Sequence, residues 1–324
     1  MVQALTAMPQ VSLSAWQASP ILVRWLISSR ASVLVMTFSA AALGGLLSMP
    51  APDWNLGAWV VCTIGLLLAH ATNNQLNDLT DSVRGIDEGN YFRLRYGAHV
   101  LEDGLLSRRG LIVYMSITGA LAAGCGLWLV VTQSAGLLIP FLLGSLLLLF
   151  YTWPLKQWGL GELAVLLVWG PLMVAGTGQA ATGSWDWQVA AIDFCFALGP
   201  TTVIFGKHID KLCFDLEKGV RTLPVRLGEP RARTWVRGML LVQYAGTALL
   251  VAVAWLPWTV LLVLLALPRL NLCWRAFSQP APEAPPLDFP ASAWPLWFSA
   301  YAFDHTRWFG ILFIAGYCLS LLTG

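Results

Sequence analysis

Charge is scarce in this chain. Only 11% of its 324 residues are Asp, Glu, Lys or Arg, whereas roughly 25% of the residues of an average soluble domain are charged. Because 57% of the residues are hydrophobic, the composition excludes a disordered chain and argues against a soluble enzyme. The formal net charge of +2 is too small to indicate a nucleic-acid partner.

Paired cysteines are also missing. The six cysteines lie singly within or beside apolar stretches, with no CxxC pattern and no Cys/His ligand spacing. We interpret them as small apolar packing residues rather than as disulfide or zinc ligands. Residues 1–20 lack the basic region and the small-residue cleavage site of a secretory signal, so we expect a short N-terminal segment and a first span that is retained.

Long apolar stretches recur instead, from about residue 31 to the last residue. A bilayer span needs about 20 mostly apolar residues, and the sequence predicts nine such spans. Pro268 and Arg269 interrupt the eighth, so eight spans remain an alternative. We expect one all-α integral membrane domain over residues 21–324, with a proline-rich, polyproline-like connector at 278–297. The predicted spans are centred near Ala41, Leu66, Ala120, Leu146, Leu167, Ala197, Ala248, Leu264 and Ile314.

The distribution of basic residues predicts the orientation. If the N-terminus is cytoplasmic, the outward connections contain none of the nineteen Lys and Arg residues. Basic residues concentrate in cytoplasmic loops of membrane proteins, so we expect the N-terminus and the inward loops to lie in the cytoplasm, with the protein in a bacterial inner membrane. The outward connections are Ser48–Asn55, Val131–Ala135, Ala181–Trp187 and Ala254–Thr259.

Two carboxylates and two amides converge where the second span ends. Asn74, Asn77, Asp78 and Asp81 stand at i, i+3, i+4 and i+7, so on a helix they face the same way within about 100°. Carboxylates this close repel unless a cation offsets their charge. Such oxygen ligands suit Mg²⁺, which proteins hold with one or two carboxylates and substrate phosphates. The alternative is a solvated acidic helix end.

A second charged segment, residues 207–219, follows the sixth span on the same predicted face of the membrane. If it is helical, Lys207, Lys211 and Asp215 share a stripe that is suited to a metal-bound anion, and Gly219 predicts the helix stop. A solvated, salt-bridged surface is an equally good explanation of this segment alone. Two acidic clusters on one face favour a diphosphate with Mg²⁺ on both sides.

Three further polar residues are weaker candidates. His208 and His305 are possible bases, although a lone interfacial histidine is more often a hydrogen-bonded structural residue. Asp193 lies towards the outer end of the sixth span, where an acid is a functional candidate by default. Its distance from the cytoplasmic clusters argues against a shared site.

At this point the residues resemble a family. The pattern N-x-x-N-D-x-x-D-x-x-x-G-x-D at residues 74–87 resembles the first aspartate motif of the UbiA-type intramembrane prenyltransferases, above all the branch that prenylates 1,4-dihydroxy-2-naphthoate. Residues 215–228 are similar to the second aspartate motif and the segment after it. The likeness covers about residues 20–255 and includes Tyr151–Pro154 with Lys156, Gly159–Glu162, Gly176–Gly178 and Gly104–Ser107.

The resemblance implies a ring of nine transmembrane helices around a central cavity, with the aspartate motifs at its cytoplasmic mouth. It also implies that Asp215 binds a second Mg²⁺. One position departs from the family, where an Asp usually precedes the residue matching Asp215 by four; here that residue is Lys211. The nearest acid, Asp210, lies about 140° away on an ideal helix, so Asp210, Glu217 or a water is the candidate for the missing ligand. The implied ligands of the first Mg²⁺ and the diphosphate are Asn74, Asn77, Asp78, Asp81 and Asp87.

These residues predict the chemistry of the enzyme. Mg²⁺, with Lys156, Lys211 and Arg30 as candidate cations, would neutralise the diphosphate of a polyprenyl donor and make it a better leaving group. An aromatic acceptor would then attack the allylic cation, which aromatic side chains stabilise. Alternatives are a family member with another acceptor or with terpene cyclase activity, a cation-coupled transporter, and a non-catalytic partner protein.

Overall fold

The computed structural model describes residues 10–87, 97–290 and 293–323, and within these ranges every regular element is helical. Nine helical segments in them are long and apolar enough to cross a membrane, which confirms the predicted all-α membrane fold. They are Ala31–Ser48, Leu56–Val83, Arg108–Thr132, Ala135–Leu155, Gly161–Thr182, Trp187–Asp210, Glu229–Ala252, Trp258–Ser278 and Trp297–Thr323.

The α-helices are numbered in chain order. Five 3₁₀ or π segments lie within the spans, four at a span end and Val168–Leu172 in the middle of the fifth span. The four at span ends are Ala31–Val33, Ala135–Leu137, Tyr151–Leu155 and Trp258–Ala266. The helices are α1 (Leu13–Ala18), α2 (Ile21–Ser28), α3 (Leu34–Ser48), α4 (Leu56–Val83), α5 (Arg108–Thr132), α6 (Leu138–Phe150), α7 (Gly161–Leu167), α8 (Val174–Thr182), α9 (Trp187–Asp210), α10 (Leu212–Glu217), α11 (Leu223–Leu227), α12 (Glu229–Ala252), α13 (Leu267–Ser278) and α14 (Trp297–Thr323).

Prolines explain the irregular spans. Trp153 precedes Pro154 and has the extended conformation (φ −148°, ψ 127°) that a residue before proline prefers. Gly170 precedes Pro171 and interrupts the fifth span with a different non-helical conformation (φ −98°, ψ −123°), which its missing side chain permits. The eighth span contains a 3₁₀ segment that runs into α13, where Pro268 occupies the first turn, a position that tolerates the missing N–H. The predicted eighth span is therefore present.

The chain divides into two compact units. Unit 1 comprises the described residues up to Trp153 together with Gly176–Trp185, and unit 2 comprises Pro154–Ala175 and the described residues from Asp186 onward. In unit 1, α4 packs closely on α5: a Cβ built on Gly65 would lie only 2.9 Å from the Cβ of Cys125. Small residues at a contact let membrane helices approach each other in this way.

Unit 2 is organised around α9, most of which is buried. Its apolar core includes Phe205, Val236 and Phe277, from α9, α12 and α13. The sequence predicts an extended proline-rich connector. In its described part the connector instead contains turns and bends. Its Phe289 packs on Trp297 and Tyr301 of α14, with ring centroids 5.0 and 5.9 Å apart, so the connector is anchored to the last helix.

Candidate active site

The predicted polar face of α4 is buried. Asp78 and Asp81 are 2% and 4% exposed, and Asn74 is also buried. Because α4 continues to Val83, these residues project from one continuous helix. The Asn77 side-chain amide donates to Asp81 Oδ2 at 3.0 Å, and Thr152 Oγ1 donates to Asn77 Oδ1 at 3.4 Å. This part of the helix is therefore a packed polar site rather than a solvated helix end.

The segment after α2 is held against this face. Asn74 Nδ2 donates to the Ser29 carbonyl at 2.9 Å, and Gln75 Nε2 donates to Ser28 Oγ at 3.2 Å. Arg30 follows in the left-handed conformation, with φ 53°, and its guanidinium forms a hydrogen-bonded ion pair with Asp78. Non-glycine residues in this conformation are strained by about 1–3 kcal/mol and cluster at functional sites. The left-handed backbone at Arg30 places its guanidinium beside the buried carboxylate of Asp78.

Asp87 and His99 complete the site in unit 1. His99 Nε2 lies 2.9 Å from Asp87 Oδ2 and 4.0 Å from Asp78 Oδ1. One ligand atom from each of Asp78, Asp87 and His99 lies within 4.8 Å of the other two, and all three side chains are buried. Two oxygens and a nitrogen at this spacing form a group that could hold a metal ion.

The second aspartate motif lies in unit 2 and has fewer polar contacts than the first. Asp215 lies on α10, which follows α9 after a break at Lys211, and is fully buried. Lys211 Nζ lies 3.3 Å from Asp215 Oδ1, but among the described residues no hydrogen bond reaches either carboxylate oxygen. Gly219 has φ 71° after the end of α10, as predicted for a helix stop.

Asp210 caps the last transmembrane helix. Its Oδ1 accepts the N–H of Phe298 at 2.9 Å and its Oδ2 accepts that of Ser299 at 3.0 Å, two of the amides that the first turn of a helix leaves without internal partners. Gly206 permits this contact, since a Cβ there would lie 2.8 Å from the backbone of Phe298. Glu217 is exposed on α10. That Asp210, Glu217 or a water completes the second metal site stays a prediction.

A buried carboxylate–imidazole pair lies elsewhere in unit 2. His208 Nδ1 is 2.5 Å from Glu162 Oε1, and Glu162 Oε2 accepts the N–H of Leu223 at 3.3 Å. Lys156 is buried in the turn before α7. The pair connects α7 with α9 and α11, the helices that precede and follow α10 in the chain.

The comparisons with known proteins identify the family. The UbiA prenyltransferase family matches residues 31–299, more than four fifths of the chain. The chain belongs to the UbiA prenyltransferase family. It is therefore a prenyltransferase, and the transporter and non-catalytic alternatives lose their support.

Two curated UbiA relatives illustrate the likeness in sequence. A 2-carboxy-1,4-naphthoquinone phytyltransferase of Synechocystis is 26% identical over 73% of this chain and 75% of its own length. A 1,4-dihydroxy-2-naphthoate octaprenyltransferase of Mycobacterium tuberculosis is 28% identical over 58% of this chain and 63% of its own length. The predicted likeness to the naphthoate branch is confirmed at this modest identity.

A solved UbiA homologue supports the fold. The homologue from Archaeoglobus fulgidus, determined with GPP and Mg²⁺ bound, superposes with a TM-score of 0.61 at 15% identity, over 91% of this chain and 99% of the homologue. At this identity the likeness establishes the UbiA fold and no more.

His99 is the residue of this UbiA site that sequence reasoning missed. It follows Asp87 by twelve residues, outside any helical repeat, so spacing could not indicate the contact. The other predicted site residues divide between the two units. Unit 1 contains Asn74, Asn77, Asp78, Asp81, Asp87 and Arg30, and unit 2 contains Lys156, Lys211, Asp215 and Asp210. His305 pairs with the Tyr244 hydroxyl at 3.1 Å, and Asp193 is fully buried; both lie within spans, apart from the motifs.

Proposed function

We propose that this UbiA enzyme transfers a polyprenyl group from an allylic polyprenyl diphosphate to an aromatic, quinone-precursor-like acceptor in the membrane, and that it requires Mg²⁺. The observation that carries the proposal is the pair of buried carboxylates Asp78 and Asp87 with the partly buried Arg30 on Asp78, which offers carboxylate oxygens and a cation at one place. The names of the two naphthoate-branch relatives support the class of acceptor.

The residues fit Mg²⁺. In unit 1, Asp78, Asp81 and Asp87 supply carboxylate oxygens, and Asn74 and Asn77 add amide oxygens. In unit 2, the carboxylate of Asp215 is buried beside the Lys211 ammonium, and no hydrogen bond from the described residues reaches its oxygens, so a bound cation would further offset the cost of burying it. Hard oxygen donors of this kind match Mg²⁺. When bound, the ion would neutralise charge that develops on the leaving diphosphate.

The chain's own cations bind the anionic donor in this proposal. Arg30 would contact the diphosphate in unit 1, and Lys156 and Lys211 would supply positive charge in unit 2. The allylic C–O bond breaks and the diphosphate leaves with the electron pair. A ring carbon of the acceptor forms the new C–C bond, and the ring then loses a proton. Water must be excluded, because it would capture the allylic cation.

We propose that both motifs face the cytoplasm of a bacterial cell and that the protein lies in its inner membrane. The absence of Lys and Arg from the predicted outward connections supports this orientation. Cys213 of α10 is exposed and provides a native probe. In spheroplasts, a membrane-impermeant maleimide should label Cys213 only after the membrane is opened. If intact spheroplasts were labelled, and if this labelling disappeared in Cys213→Ser, the proposed orientation would be wrong.

The enzymatic test uses protein purified in detergent with Mg²⁺ and labelled polyprenyl diphosphates of several chain lengths. Reactions with and without 1,4-dihydroxy-2-naphthoate are analysed for released diphosphate and prenylated product by mass spectrometry. A product that requires both Mg²⁺ and the naphthoate supports the proposal. Diphosphate release without this product points to another acceptor or to cyclisation, whereas no Mg²⁺-dependent release at any chain length contradicts it.

A further inference from the structure

Two interpretations of His99 are possible, because its Nε2 lies close to both Asp87 and Asp78. The imidazole could be a metal ligand beside the two carboxylates. Alternatively, it could hold a carboxylate in place for a metal bound by oxygen alone. The hydrogen bonds on its other ring nitrogen distinguish these interpretations.

His99 Nδ1 faces two backbone donors. The N–H groups of Leu101 and Glu102 each point at Nδ1, with N···N distances of 3.3 Å. A neutral imidazole has one nitrogen that donates and one that accepts. Since Nδ1 accepts, Nε2 carries the proton and donates it to Asp87 Oδ2 at 2.9 Å. A protonated nitrogen has no lone pair to offer a metal ion.

The loop that carries His99 is itself fixed. Asp103 Oδ2 accepts the His99 N–H at 2.7 Å, and the Asp103 N–H donates back to the His99 carbonyl at 2.9 Å. Val100 and Leu105 are buried in the apolar core of unit 1. The imidazole is therefore oriented by its backbone before any ligand arrives, as expected of a group that orients a metal-binding side chain.

We propose that His99 is a positioning residue that donates from Nε2 to Asp87 and holds this carboxylate beside Asp78 for a divalent cation, without binding the cation itself. A carboxylate has about four lone-pair sites on its two oxygens, so one hydrogen bond leaves Asp87 able to coordinate. A neutral donor also preserves the full negative charge of Asp87 for the cation. The inference rests on the proposed Mg²⁺ site in unit 1 and refines it.

The test measures Mn²⁺ binding to the substrate-free protein in detergent. An Asp215→Asn background removes the binding contribution of the second motif. Free Mn²⁺ is quantified by electron paramagnetic resonance for His99, His99→Gln and His99→Leu. His305→Gln in unit 2 is the matched control for exchanging a buried imidazole for an amide. Electron spin echo modulation on the His99 protein reports whether a nitrogen is bonded directly to Mn²⁺.

Glutamine can still donate an N–H towards Asp87, whereas leucine cannot. We therefore expect His99→Gln to bind Mn²⁺ within about threefold of the His99 protein and His99→Leu to bind it about 10- to 100-fold more weakly, the usual range for losing a residue that orients a metal ligand. The His99 protein and His305→Gln should bind alike, and no directly bonded nitrogen should appear.

A nitrogen bonded directly to Mn²⁺ would overturn the inference in favour of a ligand, and so would equal losses in His99→Gln and His99→Leu. Unchanged binding in His99→Leu would remove His99 from the site while leaving the proposed function intact. If the His99 protein binds no Mn²⁺ either alone or with added inorganic diphosphate, the proposed cation site in unit 1 is itself wrong. Should His99→Leu not fold, the echo modulation and the glutamine variant still decide between ligand and positioning residue.

Discussion

The two aspartate motifs are built differently. In unit 1 each carboxylate has a specific polar neighbour: Arg30 for Asp78, Asn77 for Asp81 and His99 for Asp87. In unit 2, Asp215 has an ammonium at 3.3 Å and, in the part of the chain that the structure describes, no hydrogen bond to its oxygens. The first motif is organised before a ligand binds, whereas in the proposed function Asp215 would gain further interactions from a ligand. The two motifs should therefore respond differently to substitution.

The largest expected effect is on turnover. Asp78→Asn and Asp215→Asn should each lower Mg²⁺-dependent turnover by at least about 100-fold, as when a group that stabilises transition-state charge is lost. The two variants should differ in how much folding stability they lose. Asp78→Asn weakens a hydrogen-bonded ion pair with Arg30 and should cost about 2 kcal/mol, while Asp215→Asn weakens an ion pair with Lys211 that has no hydrogen bond and should cost less, about 1 kcal/mol.

Turnover is measured by diphosphate release and stability by thermal unfolding of the detergent-purified protein. Asp304→Asn is the matched control, because Asp304 is partly exposed and pairs with Arg269 and Arg307 away from both motifs. Full activity in either motif variant would show that the substituted aspartate is not part of the active site. A larger loss of stability in Asp215→Asn than in Asp78→Asn would contradict the comparison between the motifs.

An intermediate effect is expected at Arg30, where charge and backbone conformation can be separated. Arg30→Ala and Arg30→Gly both remove the guanidinium, so both should lose about tenfold or more in turnover. At φ 53° glycine avoids the steric strain that a Cβ causes. Arg30→Gly should therefore be more stable than Arg30→Ala by about 1 kcal/mol. Chemical unfolding of the two variants measures the difference, and equal stabilities would show that the left-handed backbone carries no strain.

The smallest effect on chemistry is expected at Asp210. Asp210→Ala removes a helix cap and should cost about 1 kcal/mol of stability, while the turnover of the folded enzyme and its Mg²⁺ requirement stay near those of the unchanged protein. Asp210→Ser, which can still cap, should recover part of the stability. If Asp210→Ala instead raised the Mg²⁺ requirement without loss of stability, the predicted role of Asp210 as a metal ligand would be supported and its role as a cap would not.

Local patterns explain what was predictable in this chain. The nine spans follow from composition, and the polar face of α4 follows from the helical period, because both depend on residues that are close in sequence. The cap that Asp210 provides could not be predicted, since its partners lie 88 and 89 residues away. The same holds for the left-handed Arg30, which is not a glycine, and for His99, whose tautomer depends on the backbone of its own loop.

The Asp210 cap has a consequence for the order of assembly. During translation Asp210 leaves the ribosome 88 residues before Phe298, so its carboxylate has neither amide partner while α12 and α13 are being made. Lys211 and Asp215 follow immediately in the chain, and the Asp210 contact at the end of α9 forms only when α14 arrives, after the His208–Glu162 contact to α7 is already possible. The last contact at this end of α9 therefore waits for α14, and a ribosome stalled within the proline-rich connector would leave a membrane-inserted chain in which the Asp210 carboxylate lacks its two amide partners.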